Sequence, residues 1–168
     1  MNKPALAVAI IFLLIASAVL YASIPGAARQ PLRFSHKAHA EEAKCRACHP
    51  YYEKHASAGL PRLADCLDCH EGTQSKEPED VKEEAKLVQY AEKKAEIRWV
   101  RLYRVPGHSF FSHRRHVVLA KLECKTCHGE IEASDAPPGR PAQPIEMDWC
   151  VSCHRKEKVS TDCNGCHR

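Results

Sequence analysis

The sequence predicts a mostly α-helical fold with extensive loops, short helices wrapped on stacked prosthetic groups, behind one N-terminal transmembrane helix. Three observations predict it. All ten cysteines fall in five copies of one spaced pattern, each closed by a histidine. Beyond residue 30 the chain has few large apolar residues and no long amphipathic run, so an ordinary hydrophobic core is not expected to hold it together. An uncharged stretch of membrane-spanning length lies near residue 5.

The five copies are Cys45-Arg-Ala-Cys48-His49, Cys66-Leu-Asp-Cys69-His70, Cys124-Lys-Thr-Cys127-His128, Cys150-Val-Ser-Cys153-His154 and Cys163-Asn-Gly-Cys166-His167, and no cysteine is left over. A disulfide framework and zinc half-sites both use paired cysteines, but neither requires a histidine directly after the second one. With 11 histidines in 168 positions, five such placements by chance are on the order of one in a million, so the pattern reads as c-type haem attachment. Two thiols reach two vinyl groups on one porphyrin edge while the adjacent imidazole turns beneath the ring to the iron. Five covalently attached haem c groups are therefore expected, with His49, His70, His128, His154 and His167 as proximal ligands.

The formal net charge of +4 is misleading, because five haems bring roughly ten propionate charges, only about half offset when every iron is ferric. The loaded protein is expected to be near neutral or acidic. No basic patch with interleaved aromatics points to nucleic acid.

Taken in order, residues 1–30 form the expected membrane anchor. From Ala5 to Ile24 there are twenty residues without a charge, long enough for a helix to cross a bilayer core. A cleavable signal peptide is the alternative, with Ala16-Ser17-Ala18 as a small-residue site, but the apolar run is longer than a leader usually has. Either reading exports the remainder, and Lys3 fits an inner-membrane, single-pass orientation with the haem domain in the periplasm.

Residues 31–74 are the first haem-binding repeat, with two haems, and 108–168 the second, with three. Phe34-Ser35-His36-Lys37-Ala38-His39 matches Phe111-Ser112-His113-Arg114-Arg115-His116, and two haem motifs follow each. The fifth motif has no counterpart in the first repeat. Between them, residues 75–107 read as a charged, solvent-exposed linker helix over 75–96, with Ser75 as cap and Pro78 in its first turn, then an extended stretch from Ile97 to Val105. Residues 135–144 carry loop chemistry only.

Six histidines lie outside the motifs: His36, His39, His55, His108, His113 and His116. Side chains at i and i+3 share a helix face but are offset along it, so His36 and His39, and likewise His113 and His116, can each address two different irons. One short helix then clamps two haems.

With these residues in hand, the F-x-H-x-x-H arrangement ahead of Cys-x-x-Cys-His resembles the class III multihaem cytochromes c, the c3 and c7 proteins. That resemblance implies that His36 pairs with His49, His39 with His70, His113 with His128 and His116 with His154. For the haem of His167, Met147, His55 and His108 compete. The triheme relatives place the last distal ligand just ahead of the preceding motif, which favours Met147, then His55. A narrower resemblance, carried by the anchor, five haems, Trp99-Val-Arg101 before the second repeat and Met147-Asp-Trp149-Cys150, is to the pentahaem subunit of alternative complex III and menaquinone reductase-type complexes. It implies iron–sulfur or molybdopterin-like and integral membrane quinone-binding subunits as partners.

If every iron has two protein ligands, no position is open to substrate. The expected function is then single-electron transfer without catalysis of its own, as a subunit of a quinol-oxidising or quinone-reducing complex that hands electrons to a soluble cytochrome or other acceptor. A free periplasmic class III-type shuttle is the alternative, and a multihaem reductase, which needs a vacant iron position, comes third.

Overall fold

The computed structural model describes residues 10–17, 19 and 26–167. Among them the structure is helix and loop without strands. The β pairing is a single antiparallel bridge between Ser109 and His167. Helix α1 (His36–Ala40) starts at Ser35, whose hydroxyl oxygen accepts from the Ala38 N–H at 3.2 Å. The one-turn helix α2 (Cys45–Cys48) follows. Next comes α3 (Leu63–Leu67), where the Asp65 carboxylate accepts from both the backbone N–H and the guanidinium of Arg62. The longest described helix is α4 (Pro78–Glu92), with Pro78 where no N–H is needed and Glu79 and Asp80 against the positive end of its dipole.

In the second repeat the His-x-x-His segment differs from its counterpart. His113 caps a π-helical segment, Arg114–Leu119, rather than entering an α-helix, and the turn closes through the Ala120 N–H to the Arg115 carbonyl at 3.0 Å. Then come α5 (Lys125–His128), a 3-10 turn (Ile131–Ala133), α6 (Met147–Lys156) and α7 (Cys163–Cys166).

Among the described residues, buried apolar packing is confined to one small cluster. Leu32, Leu63, Leu87 and Ile97 are its buried members, with Leu67, Tyr90 and Trp99 packed against it. No side chain among the described residues is fully buried. The cluster corrects the expectation of a merely solvated linker helix. Leu87 turns α4 into a wall of the first repeat, and the chain past Lys93 returns along it. The Trp99 indole N–H donates to the Pro61 carbonyl at 2.9 Å, while Gln30 and Val100 exchange two hydrogen bonds of 2.9 Å. The charge pattern of α4 concealed this because a single leucine carries the contact. Nor is Ser75 a cap. Its N–H and hydroxyl both donate to Glu84, and Glu77 stands at the cap position.

Leu87→Ala is expected to destabilise the haem-loaded protein by about 2 kcal/mol, the low end for a buried leucine because so small a cluster can collapse onto the gap. Urea unfolding followed by circular dichroism measures it.

The uncharged stretch near the N-terminus is only partly described. Residues 10–17 are helical and exposed, and most of the rest lies outside the described residues. Among the described residues, no helix is long and apolar enough to cross a membrane.

Candidate haem-binding site

The attachment motifs fold alike because their spacing is helical. Residues at i, i+3 and i+4 share one face, so one turn of helix puts both thiols and the imidazole on the same side. The turn is seen in the backbone. The N–H of the motif histidine donates to the carbonyl of the first cysteine at 2.8 Å for His49, 3.0 Å for His70, 3.0 Å for His128 and 2.8 Å for His167, and His154 lies within α6. All ten thiols are free.

A ligating imidazole must be turned so that Nε2 faces the metal. For five of the histidines a backbone carbonyl does this by accepting from the other ring nitrogen. Nδ1 donates to the carbonyl of Gly59 from His49 (2.9 Å), of Ser35 from His39 (2.7 Å), of Ala56 from His113 (2.7 Å), of Ser112 from His116 (2.9 Å) and of Ser160 from His154 (2.7 Å). A carbonyl can only accept, so Nδ1 carries the proton and Nε2 keeps its lone pair for a metal. The Gly59 carbonyl reaches His49 from a residue at φ +85, where a Cβ would lie 2.7 Å from the Tyr51 ring. Two longer contacts are to hydroxyls: Nδ1 of His36 lies 3.4 Å from the Ser134 hydroxyl and Nδ1 of His167 lies 3.4 Å from the Ser109 hydroxyl.

The rings stand in pairs. Centroid separations are 6.0 Å for His39 and His70, 6.4 Å for His113 and His128, and 6.2 Å for His116 and His154. Two imidazoles gripping one metal from opposite sides through bonds of about 2 Å have ring centres roughly 6 Å apart. These are three of the four pairings that the family resemblance implied. His36 is pushed down to about 4 by burial, then by the neighbouring His49 and His39. It therefore stands neutral and able to ligate at neutral pH, beside the proximal histidine it was expected to serve. Phe34 explains the leading letter of the repeat. Its ring contacts His36 at 4.9 Å and His39 at 4.4 Å, and Phe111 contacts His113 at 4.9 Å and His116 at 4.7 Å.

For the fifth motif, the structure brings His108 to His167. Their ring centroids are 5.6 Å apart with planes at 24°. The neighbouring backbone holds them there through the Ser109–His167 bridge and a 2.7 Å bond from the Phe110 N–H to the Cys166 carbonyl. Met147 is instead 64% exposed at the start of α6, and the His55 ring lies against Tyr51 at 5.6 Å.

One residue of the site has no place in the motif pattern. Glu84, on α4, sits with Oε1 3.1 Å from Nδ1 of His70, close but off the line of a well-formed hydrogen bond. Burial pushes the Glu84 carboxyl up, but donors from Ser75 and Gln74 and the nearby His70 outweigh it and leave it below the usual carboxylate range. A carboxylate beside a ligating imidazole raises its basicity and favours the oxidised metal. Glu84→Gln is therefore expected to raise the potential of the His70 haem by on the order of 40 mV, the equivalent of about 1 kcal/mol for one electron. A spectroelectrochemical titration reads it. Only the spacing of Glu84 from the Lys/Glu-rich run around it could have hinted at this role, and that spacing is ordinary.

Spaced thiols on one helical turn, proton-fixed imidazoles and paired rings fit covalent haem c. When bound, that group supplies a one-electron couple whose potential depends on its two axial ligands.

The chain belongs to the class III multihaem cytochromes c, which are electron carriers. The model of the class III cytochrome c family matches residues 17–96, and that of cytochrome c7 and related cytochromes c matches residues 109–168, so each repeat carries a match of its own. Within this class, the chain is 32% identical to the menaquinone reductase multiheme cytochrome c subunit of Nitratidesulfovibrio vulgaris, over 82% of this chain and 74% of that protein. It is 34% identical to cytochrome c3 of Desulfuromonas acetoxidans over 36% of this chain and 82% of that one.

Proposed function

We propose that this chain is a pentahaem electron-transfer subunit, anchored by its N-terminal segment in the inner membrane with the haem domain in the periplasm. In this reading it relays electrons within a quinol-oxidising or quinone-reducing respiratory complex. The observation that carries it is the pairing of imidazole rings, His39 with His70, His113 with His128, His116 with His154 and His108 with His167. In this reading His36 serves the iron of His49 and completes the set. With every axial position filled by the chain, the residues hold, orient and tune the haems and leave no room for a substrate. That separates the electron relay from a multihaem reductase. A quinone-linked complex is supported by the likeness to the menaquinone reductase multiheme cytochrome c subunit of Nitratidesulfovibrio vulgaris, and in this reading its partners are iron–sulfur or molybdopterin-like and membrane subunits. The anchor is supported by the uncharged stretch from Ala5 to Ile24.

The test is purification of the native protein from membranes. The expected result is an intact mass exceeding that of the polypeptide by five haems, an unprocessed N-terminus, retention on membranes after a salt wash, five low-spin haems by electron paramagnetic resonance, and co-purifying membrane subunits. A soluble, processed protein running alone would establish the shuttle instead. A high-spin ferric signal in the untreated protein would point to a reductase.

A further inference from the structure

Resting on the five-haem reading, we infer that the attachment sites stand in single file in an order that differs from the order of the sequence: Cys66–His70, Cys45–His49, Cys124–His128, Cys150–His154, Cys163–His167. The two repeats meet at their first motifs, and the second motif of the first repeat and the fifth motif are the ends.

The joint between the repeats is an exchange of braces. The N-terminus of α1, which carries the distal ligand of the first motif, docks on the segment leaving the third motif. There the Lys37 N–H donates to the Ser134 carbonyl at 3.1 Å, the Ser35 hydroxyl reaches the same carbonyl at 3.5 Å, and the Ser134 hydroxyl faces Nδ1 of His36 at 3.4 Å. Lys37 also pairs with Asp135 at 3.6 Å. The reverse contact repeats the pattern. The His113 N–H donates to the Ala56 carbonyl at 3.0 Å, Nδ1 of His113 donates to the same oxygen at 2.7 Å, and the Arg114 N–H reaches the His55 carbonyl at 3.4 Å. Each half therefore positions a distal histidine of the other, which places the first and third motifs face to face.

The outer links are set by the short helical segments. His36 and His39 sit one turn apart on α1 with Phe34 against both rings, so the first and second motifs are neighbours. His113 and His116 with Phe111 do the same for the third and fourth. The second motif lies on α3, which packs on α4, so its far side is closed by the first repeat's own helix. At the other end, the fifth motif follows α6 after a short loop held by His154 Nδ1 on the Ser160 carbonyl and the Val159 N–H on the His154 carbonyl. Cys150, lifted first by burial and then by the neighbouring Cys166, marks that contact.

The test is nuclear Overhauser spectroscopy on the fully reduced, haem-loaded full chain in detergent, where low-spin ferrous haems are diamagnetic. Each haem is assigned by the resonances lost or shifted in one conservative variant, such as His39→Met or His116→Met. Cross-peaks between haem substituents are expected for second with first, first with third, third with fourth and fourth with fifth. A cross-peak between the second and the fourth or fifth haems, or none between the first and third, overturns the order. Fewer than five haem spin systems would overturn the five-haem reading itself. As an independent check, Ser134→Pro, which strips the shared hydroxyl brace from His36, is expected to perturb resonances of both the first and third haems. A disturbance confined to the third would count against the exchanged joint.

Discussion

His108→Ala is expected, on the five-haem reading, to convert one haem in five from six-coordinate low-spin to five-coordinate high-spin. The His108 ring lies 5.6 Å from that of His167 with the planes at 24°. Removing it opens that iron to an exogenous ligand. The readouts are a high-spin ferric resonance and carbon monoxide binding by about one fifth of the haem, against none in the parent. His108→Met should keep the iron low-spin while raising its potential, since a Met/His pair favours the reduced state more than a bis-histidine pair does. Met147→Ala and His55→Ala are expected to leave all five haems low-spin. If Met147→Ala opened an iron and His108→Ala did not, the ligand read from the structure would be wrong and the one first favoured from the sequence right.

The second large effect concerns the polypeptide without its cofactor. Chain produced where haem is not attached is expected to lose most of its helical circular dichroism and to be cleaved rapidly by protease, while the same chain matured with haem resists. Among the described residues the buried apolar side chains are Leu32, Leu63, Leu87 and Ile97 with a thin surround, and so small a cluster cannot offset the ordering entropy of the haem-binding part of the chain. Large apolar groups such as Tyr51, Phe110, Leu119 and Val159 are exposed in the polypeptide, as expected where porphyrin faces would cover them. An apoprotein with a sharp, cooperative thermal transition would contradict this.

Much of the site was legible in the sequence because its chemistry depends on spacing. Cysteines at i and i+3 with histidine at i+4 describe one helical face, and F-S-H-x-x-H occurring twice marks the clamping segments. The ring pairs at His70, His128 and His154 follow from that pattern together with the family resemblance. What stayed hidden depends on contacts between distant parts of the chain. His108 follows Pro106-Gly107 with no repeat to flag it, and it is the backbone pairing of Ser109 and Phe110 with the fifth motif that brings it there. Glu84 is one acid among many on α4, singled out by the packing of that helix on α3. The role of Leu87 was concealed by its charged neighbours. The π-helical turn at Arg114–Leu119 is equally silent, because Arg114-Arg115 and Lys37-Ala38 fill the same places in the repeat yet the backbone closes differently.

The mutual bracing of His36 by Ser134 and His113 by Ala56 has a consequence for the history and engineering of such a chain. Two copies of a dihaem unit joined end to end would at first be independent, and either could be lost. Once each copy lends the other the oxygen that aims an axial imidazole, neither is a complete module. Cutting the polypeptide between α4 and the second repeat would yield two fragments with one misdirected ligand apiece, not two smaller working cytochromes.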